Sequence, residues 1–198
     1  MTTSNKIQTI VYGGAFNPPT IAHQVILQTC VDYAKSIGAE IWMLPSGNRM
    51  DKIINAEEQQ RIDFIGAMIS DVNTDNVNID IITTELTRTI PVETYDTIME
   101  FNEAYPERSF TWVFGADSTE TMAEWKNGEW LLENTEMLVL ERPGSVINPE
   151  VKHGQTMTIP SLDVSSTEVR RRIVAGEDFK DLVGYNVHRM LTSVNALV

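Results

Sequence analysis

The chain predicts an α/β fold: a doubly wound, mostly parallel sheet with a helical segment at the C-terminus. Short apolar runs of strand length alternate with longer stretches whose apolar residues recur at helical spacing. The repeated order strand, helix, strand supplies the crossovers that parallel strands need. The glycine-, hydroxyl- and charge-rich signals each follow the carboxyl end of a strand candidate, and open α/β sheets bind ligands at that edge.

Ile7–Tyr12 is apolar and opens the sheet. Gly13-Gly14 lets the backbone turn sharply beside a ligand, Asn17-Pro18-Pro19 stops regular structure, and Thr20 caps a helix over Ile21–Ser36. Glu40–Leu44 is the next strand, followed by a helix over Ala56–Ser70 and a strand over Asn78–Ile82. A threonine-bearing helix start leads Glu93–Ala104 into the strand Phe110–Phe114. Ser118–Trp125 is helical, Met137–Leu140 and the shorter Thr156–Ile159 are strands, and the Pro- and Gly-rich Arg142–Gly154 is a surface loop between them. Val164–Arg170 then reads as another strand-to-helix junction, and His188 falls in a terminal helix. With no repeat, linker or low-complexity tract, residues 1–198 form a single Rossmann-like domain.

Bulk composition narrows the function. At 198 residues and 42% hydrophobic content the chain supports one well-cored domain. A formal charge of -13, from 15 Lys plus Arg against 28 Asp plus Glu, excludes a broad basic surface for nucleic acid. No apolar run approaches the roughly 20 residues of a membrane span, and Met1–Lys6 is too short and polar for a signal peptide. Cys30, the single cysteine, rules out an internal disulfide, and its place in an amphipathic helix makes it a buried thiol. A reducing cytoplasm is the expected location; association into a homo-oligomer stays open.

Two segments suit the handling of a nucleotide phosphate. In the first, Gly13 and Gly14 precede a helix whose first turn carries His23, so an anion attracted by the free N–H groups and the helix dipole would meet an imidazole. In the second, Ser165, Ser166 and Thr167 offer hydroxyls and free amides at a helix start, with Arg170 about one turn along. Arg171 and Arg172 read as a solvated basic face.

The first segment, Tyr12-Gly13-Gly14-Ala15-Phe16-Asn17-Pro18-Pro19-Thr20-Ile21-Ala22-His23, resembles the Gly-Gly-x-Phe-(Asp/Asn)-Pro-x-(His/Thr)-x-x-His signature of the nucleotidylyltransferase superfamily. Val164–Arg170 is similar to its Ile-Ser-Ser-Thr-x-Ile-Arg signature. Further landmarks resemble the nicotinate/nicotinamide mononucleotide adenylyltransferases. They are Pro45-Ser46 with Lys52 and Arg61; Thr94 and Thr97; Gly115-Ala116-Asp117-Ser118 with Trp125 eight residues after the aspartate; and Arg142-Pro143-Gly144. The resemblance runs from about Lys6 to the C-terminus. It departs at Thr20, where many bacterial members carry a histidine, at Ala22 in place of glycine, at Asn48–Asp51, and at Glu93 in place of tyrosine.

The resemblance implies adenylyl transfer: the 5′-phosphate of a pyridine mononucleotide attacks the α-phosphorus of ATP in line, yielding a dinucleotide and pyrophosphate, with Mg²⁺ carried on the ATP. Catalysis of this kind is positioning and charge neutralisation. His23 is expected to stabilise the transition state with Thr20 as hydroxyl partner and Arg170 on the phosphates. ATP is expected at Gly14, Ala15, Phe16, His23, Ser165, Ser166, Thr167, Arg170, Gly115 and Asp117, the last holding ribose hydroxyls. The mononucleotide is expected at Gly13, Gly14, Lys52, Thr94, Trp125, Lys126 and Arg142, its pyridinium stacked on Trp125 and its carboxylate near Thr94 and Lys126. No residue is assigned to a metal. Asp117 as a plain helix cap, and Lys52 and Arg61 as phosphate contacts or surface ion pairs, stay open. So do phosphopantetheine adenylyltransferase, cytidylyltransferase and a non-catalytic nucleotide-binding regulator.

Overall fold

Ile10 and Val11, consecutive in the first strand, are both fully buried although their side chains point to opposite faces of a sheet. Such a strand needs cover on both sides, and the computed structural model, which describes residues 6–47, 57–91 and 93–193, supplies it. The strands are β1 (Ile7–Gly14), β2 (Glu40–Pro45), β3 (Ile79–Ile81), β4 (Arg108–Gly115), β5 (Met137–Glu141) and β6 (Gly154–Thr158). They form one sheet in the order β3-β2-β1-β4-β5-β6, and every neighbouring pair is parallel. The helices are α1 (Ile21–Ile37), α2 (Glu58–Ile69), α3 (Thr94–Ala104), α4 (Ala116–Thr121), α5 (Gly128–Asn134), α6 (Ser166–Ala175) and α7 (Tyr185–Ser193), with single 3-10 turns at Met122–Glu124 and Lys180–Leu182.

Two cores follow from strand alternation. Ile10, Tyr12, Ile41 and Met43 face one layer with Leu27, Val31, Phe64, Ile65 and Val187 from α1, α2 and α7. Val11, Trp42 and Leu44 face the other, with Ile98, Phe101, Met122 and Leu131. The second core is aromatic: Phe101 packs against Trp42, Tyr105, Phe110 and Trp112 at centroid separations of 5.6 to 5.7 Å. At the amino-terminal edge of the sheet the Arg108 guanidinium lies 4.4 Å from the Trp42 ring centroid, pairs with Glu40 and donates to Thr9 Oγ1 at 2.9 Å.

Against the expected elements, three differences stand out. Gly13 and Gly14 belong to β1, paired with Leu44 and Pro45, and so make no turn. The helix expected over Ser118–Trp125 starts at Ala116 and ends at Thr121, leaving Trp125 in extended backbone after the 3-10 turn. Helix α5 was not anticipated; seven residues are too few for a periodic signal. A Cβ on Gly128 would lie 1.9 Å from Met122 O, so only glycine allows α5 to close onto the preceding turn. Among the described residues no helix is long and apolar enough to cross a membrane. Cys30 is fully buried, as expected of an inert thiol.

The C-terminal segment docks through Asp71, beyond the end of α2. Its carboxylate accepts from Asn186 N at 3.0 and 3.1 Å and from Asn186 Nδ2 at 2.8 Å, capping the start of α7. A Cβ on Gly184 would sit 2.4 Å from Asp71 Oδ2, so the glycine makes room for the cap. Asp71→Ala is expected to lower stability by about 1–2 kcal/mol, read in urea as a lower midpoint with an unchanged slope; an unmoved midpoint would show that α7 docks without this cap.

Candidate functional site

The strand order reverses at the β1/β4 boundary, since β1 connects outward to β2 and β3 while β4 leads to β5 and β6. A topological switch of this kind opens a crevice at the carboxyl ends of the strands, and here it holds a cavity of about 320 Å³. Its walls are Gly13 and Gly14 at the end of β1 with Ala15 after it, Leu44 at the end of β2 with Ser46 after it, Trp112–Gly115 of β4, and Leu140 of β5. Glu85, the start of α3 (Glu93, Thr94, Thr97), Ser118 and Trp125 complete it, with Ile26 contributed by α1.

The loop from β1 to α1 is tied down from several directions. Phe16 adopts left-handed backbone with φ 47°, a conformation unfavourable for a bulky residue unless its surroundings enforce it. Its ring does so: it is fully buried and sits edge-on to Tyr12 at 5.3 Å and to His23 at 5.5 Å. A Cβ on Gly14 would meet the Phe16 ring at 3.0 Å, which accounts for glycine there. Arg61 Nη1 donates to Ala15 O at 3.2 Å and to Ser46 O at 2.6 Å. With 3% exposure, Arg61 is neither a surface ion pair nor a phosphate contact but a tie between the loops after β1 and β2. On the far side, Ser166 Oγ donates to Pro18 O at 2.8 Å and Arg170 Nη1 to Asn17 O. The peptide bond between Asn17 and Pro18 is cis.

These ties bring the N-termini of α1 and α6 together, and with them the two hydroxyl-rich motifs. Ser165 is the N-cap of α6, its hydroxyl accepting from Glu168 N at 3.1 Å. Thr167 Oγ1 accepts from Arg170 Nη2 at 3.2 Å. Arg171 and Arg172 pair instead with Glu168, Glu177 and Asp181, and these partners hold the Glu168 carboxyl down at about 2. They are the outward, ion-paired face of the helix.

At the start of α1, Thr20 is buried with 1% exposure. Its N–H donates to His23 Nδ1 at 3.0 Å, and its hydroxyl lies 2.8 Å from the same nitrogen. Nδ1 is therefore an acceptor, which puts the ring proton on Nε2. Burial, aided by the nearby charge of Arg142, pushes the imidazole down to about 4. Thr20 is thus a positioning group behind His23, not a surface for ligand.

At the opposite end of the cavity, Trp125 stands edge-on to Phe114 at 6.2 Å. Thr94 opens α3, so its amide has no helical acceptor. Three residues fall differently from expectation. Lys126 is not in the cavity wall; its Nζ pairs with Asp96 at 2.6 Å. Arg142 is exposed and also outside the wall, and its charge is felt by His23 and Tyr12. Asp117 is exposed in the first turn of α4, its carboxylate folded over the cavity-wall residue Gly115 while it is not itself part of the wall; the N-cap of that helix is Gly115, so Asp117 is not a cap either. Lys52 lies outside the described residues. Trp42 packs in the core, while Trp112 is both core and cavity wall.

Residues 11–172 match the profile of the family described as cytidylyltransferase-like. The chain belongs to that family. A relative from Exiguobacterium sibiricum, named "Probable nicotinate-nucleotide adenylyltransferase", is 29% identical over 187 residues, covering 92% of this chain and 95% of its own. One of the same name from Salinibacter ruber is 28% identical, covering 87% and 89%. Among solved structures, the Plasmodium falciparum nicotinic acid mononucleotide adenylyltransferase complexed with NaAD superposes with a TM-score of 0.79 at 22% identity over 96% of each chain. The likeness confirms the α/β Rossmann-like architecture.

In this cytidylyltransferase-like chain the site is a pocket walled in part by the starts of α3 and α4; Phe16, His23, Ser165, Ser166, Thr167 and Arg170 lie outside its lining, at the joined starts of α1 and α6, where His23 Nε2 is a neutral N–H donor. Such a site can hold an anion without changing its own protonation. One polar residue escaped the motif reading: Glu85, in irregular chain between β3 and α3, where no periodicity marks it. Its Oε1 accepts from Thr97 Oγ1 at 2.7 Å, and Thr97 in turn accepts from Arg88 Nη1 at 2.9 Å. Gly47 N lies 3.4 Å from Oε2.

His23 has a folded value of about 4 against an ordinary value of 6.5, so below pH 6.5 the unfolded chain takes up the proton first. Its contribution to stability is then full above about pH 6.5 and lost as the pH falls towards 4, by at most roughly 3 kcal/mol. NMR titration of the folded protein should show His23 neutral at pH 6; a midpoint near 6.5 would overturn the shift assigned to burial. Arg142→Ala should raise the midpoint while leaving it below 6.5, because burial is the larger cause.

Proposed function

We propose that the protein joins nicotinate mononucleotide to ATP, giving the dinucleotide and pyrophosphate in NAD biosynthesis. One observation carries this reading. The Gly13–His23 and Ser165–Arg170 motifs, separated in sequence, are bonded to each other through Ser166 and Pro18, beside a cavity that ends in Trp125. The names of its relatives point the same way.

ATP enters as its Mg²⁺ complex. The ion would ride on the triphosphate and neutralise its charge there. The triphosphate lies at the joined N-termini of α1 and α6, against the amides of Gly14, Ala15 and Phe16 and the hydroxyls of Ser165, Ser166 and Thr167. His23 Nε2–H donates to the oxygens on which charge grows during transfer, and Thr20 holds the ring in that tautomer. Arg170 secures the loop and contacts the leaving pyrophosphate. Arg142, whose charge reaches His23, is moved from the mononucleotide to the phosphates.

The mononucleotide occupies the cavity, its phosphate towards Gly13 and Ser46 and its ring on Trp125. The free amides at the start of α3 favour a carboxylate on that ring. Lys126 adds little, being neutralised by Asp96, and Glu93 in the cavity wall opposes it. Nicotinate therefore rests on backbone amides, with a modest advantage over nicotinamide.

Pyrophosphate release from Mg²⁺-ATP, with nicotinate mononucleotide, nicotinamide mononucleotide and phosphopantetheine in parallel, tests the reading. The first substrate should give the highest kcat/KM, and turnover of phosphopantetheine alone would refute it. His23→Ala should lower kcat about 10²–10³-fold with the fold retained. Arg170→Ala should cost about 1.5–3 kcal/mol in transition-state binding, whereas Arg171→Ala and Arg172→Ala should change turnover less than twofold, within roughly 0.5 kcal/mol. Equal losses at all three arginines would mean a diffuse basic patch.

A further inference from the structure

We propose that Glu85 recognises the ribose of the mononucleotide, accepting hydrogen bonds from its 2′- and 3′-hydroxyls. The inference rests on the proposed use of the cavity for a mononucleotide. Glu85 lies in the cavity wall, in contact with residues on the sides assigned to phosphate and to ring. On one side it meets Gly47, next to Ser46; on the other it is bonded to Thr97, one helical turn from Thr94. A ribose is the part of a mononucleotide that lies between its phosphate and its base, so the carboxylate is placed at the height of the sugar.

The carboxylate is also held in a way that suits an acceptor. Thr97 Oγ1 donates to Oε1 at 2.7 Å, and Thr97 is itself oriented by Arg88 Nη1 at 2.9 Å, with Arg88 anchored to Glu100. Thr97 is fully buried, so this support is rigid. A Cβ on Gly47 would fall 2.3 Å from Glu85 O, and glycine there lets the loop after β2 close directly onto the Glu85 backbone. Each carboxylate oxygen has capacity for more than one donor. One lone pair on each therefore remains for a vicinal diol, a pair of donors with matching spacing. No arginine or lysine neutralises Glu85 within hydrogen-bonding distance among the described residues. Its support is a hydroxyl, which orients the charge without cancelling it.

Kinetics with the natural ribonucleotide and its 2′-deoxy and 3′-deoxy analogues separate this from a structural role for Glu85. The wild-type enzyme should favour the ribonucleotide over at least one analogue by about 10- to 100-fold in kcat/KM, the range for a hydrogen bond to a charged group. Glu85→Ala should raise KM for nicotinate mononucleotide by a similar factor, leave KM for ATP within twofold, and remove the preference against the analogue. Glu85→Gln, which keeps the Thr97 contact and loses the charge, should give an intermediate preference and covers the case in which the alanine variant does not fold. A preference unchanged in Glu85→Gln, or losses shared equally by ribonucleotide, analogues and ATP, would show that Glu85 only braces Thr97. Failure of the wild-type enzyme to use nicotinate mononucleotide at all would overturn the proposed function and this inference with it; normal turnover without sugar discrimination would overturn the inference alone.

Discussion

The loop between β1 and α1 is the constraint on which the site depends. Its backbone passes through a left-handed conformation at Phe16, costly for a side chain with a Cβ, and holds it because the ring is buried between Tyr12 and His23. Its carbonyls are claimed from both sides: Ala15 O by Arg61, Asn17 O by Arg170 and Pro18 O by Ser166. The ties reach α2 and α6, so the geometry at His23 is set by two helices that both hold this loop. Arg61 is the most buried of these donors, and its Nε has no partner among the described residues. A desolvated guanidinium is retained there because removing it would free two carbonyls at once.

This dependence explains which parts of the molecule could be read from sequence. The alternation of apolar runs with helical stretches was enough for the doubly wound sheet, because strands covered on both faces must be apolar throughout. The strands β1, β2, β4 and β5 lay close to their expected spans, while β3 at the edge is shorter, three residues instead of five. Gly13-Gly14 was legible as a close approach but not as its form. The glycines make room for a ring and a ligand within a strand, and the turn itself falls on Phe16, whose sequence neighbours carry no sign of a positive φ. The split of Ser118–Trp125 into α4 and a 3-10 turn was equally hidden, since Gly128 acts through its close approach to Met122.

Within the site, residues carried by contiguous motifs were legible and residues brought in by tertiary contact were not. His23, Thr20, Ser166 and Arg170 sit at strand ends or helix starts, where capping and free amides can be inferred locally. Arg61 and Glu85 come from a helix interior and an irregular segment. Their partners are 46 and 15 residues away for Arg61 and 12 and 38 for Glu85, so the sequence could mark Arg61 as a landmark without its role and did not mark Glu85 at all. Lys126 and Arg142 were placed by their positions in the resembling motifs, but what their charges do is set by tertiary partners, as by Asp96 for Lys126.

The chain carries a formal charge of -13 and is proposed to act on two phosphorylated substrates, so long-range attraction cannot be what draws them in. The solution lies in short-range donors. Of the three arginines at the start of α6, two are tied to carboxylates on the outer face and only Arg170 turns to the loop. His23 is kept neutral and still donates. Backbone amides at two helix starts carry partial positive charge that no carboxylate side chain can titrate or screen by moving. These donors are fixed by the fold, act within hydrogen-bonding distance, and remain effective in an acidic protein where a mobile lysine would be captured by a neighbouring aspartate. Selectivity for the mononucleotide follows the same logic in reverse: in the cavity the fixed groups include carboxylates, Glu85 and Glu93, which disfavour further anionic charge except where helix amides oppose them. A ligand with a phosphate at one end, a diol in the middle and a cationic ring against Trp125 matches that order of fixed charges along the crevice.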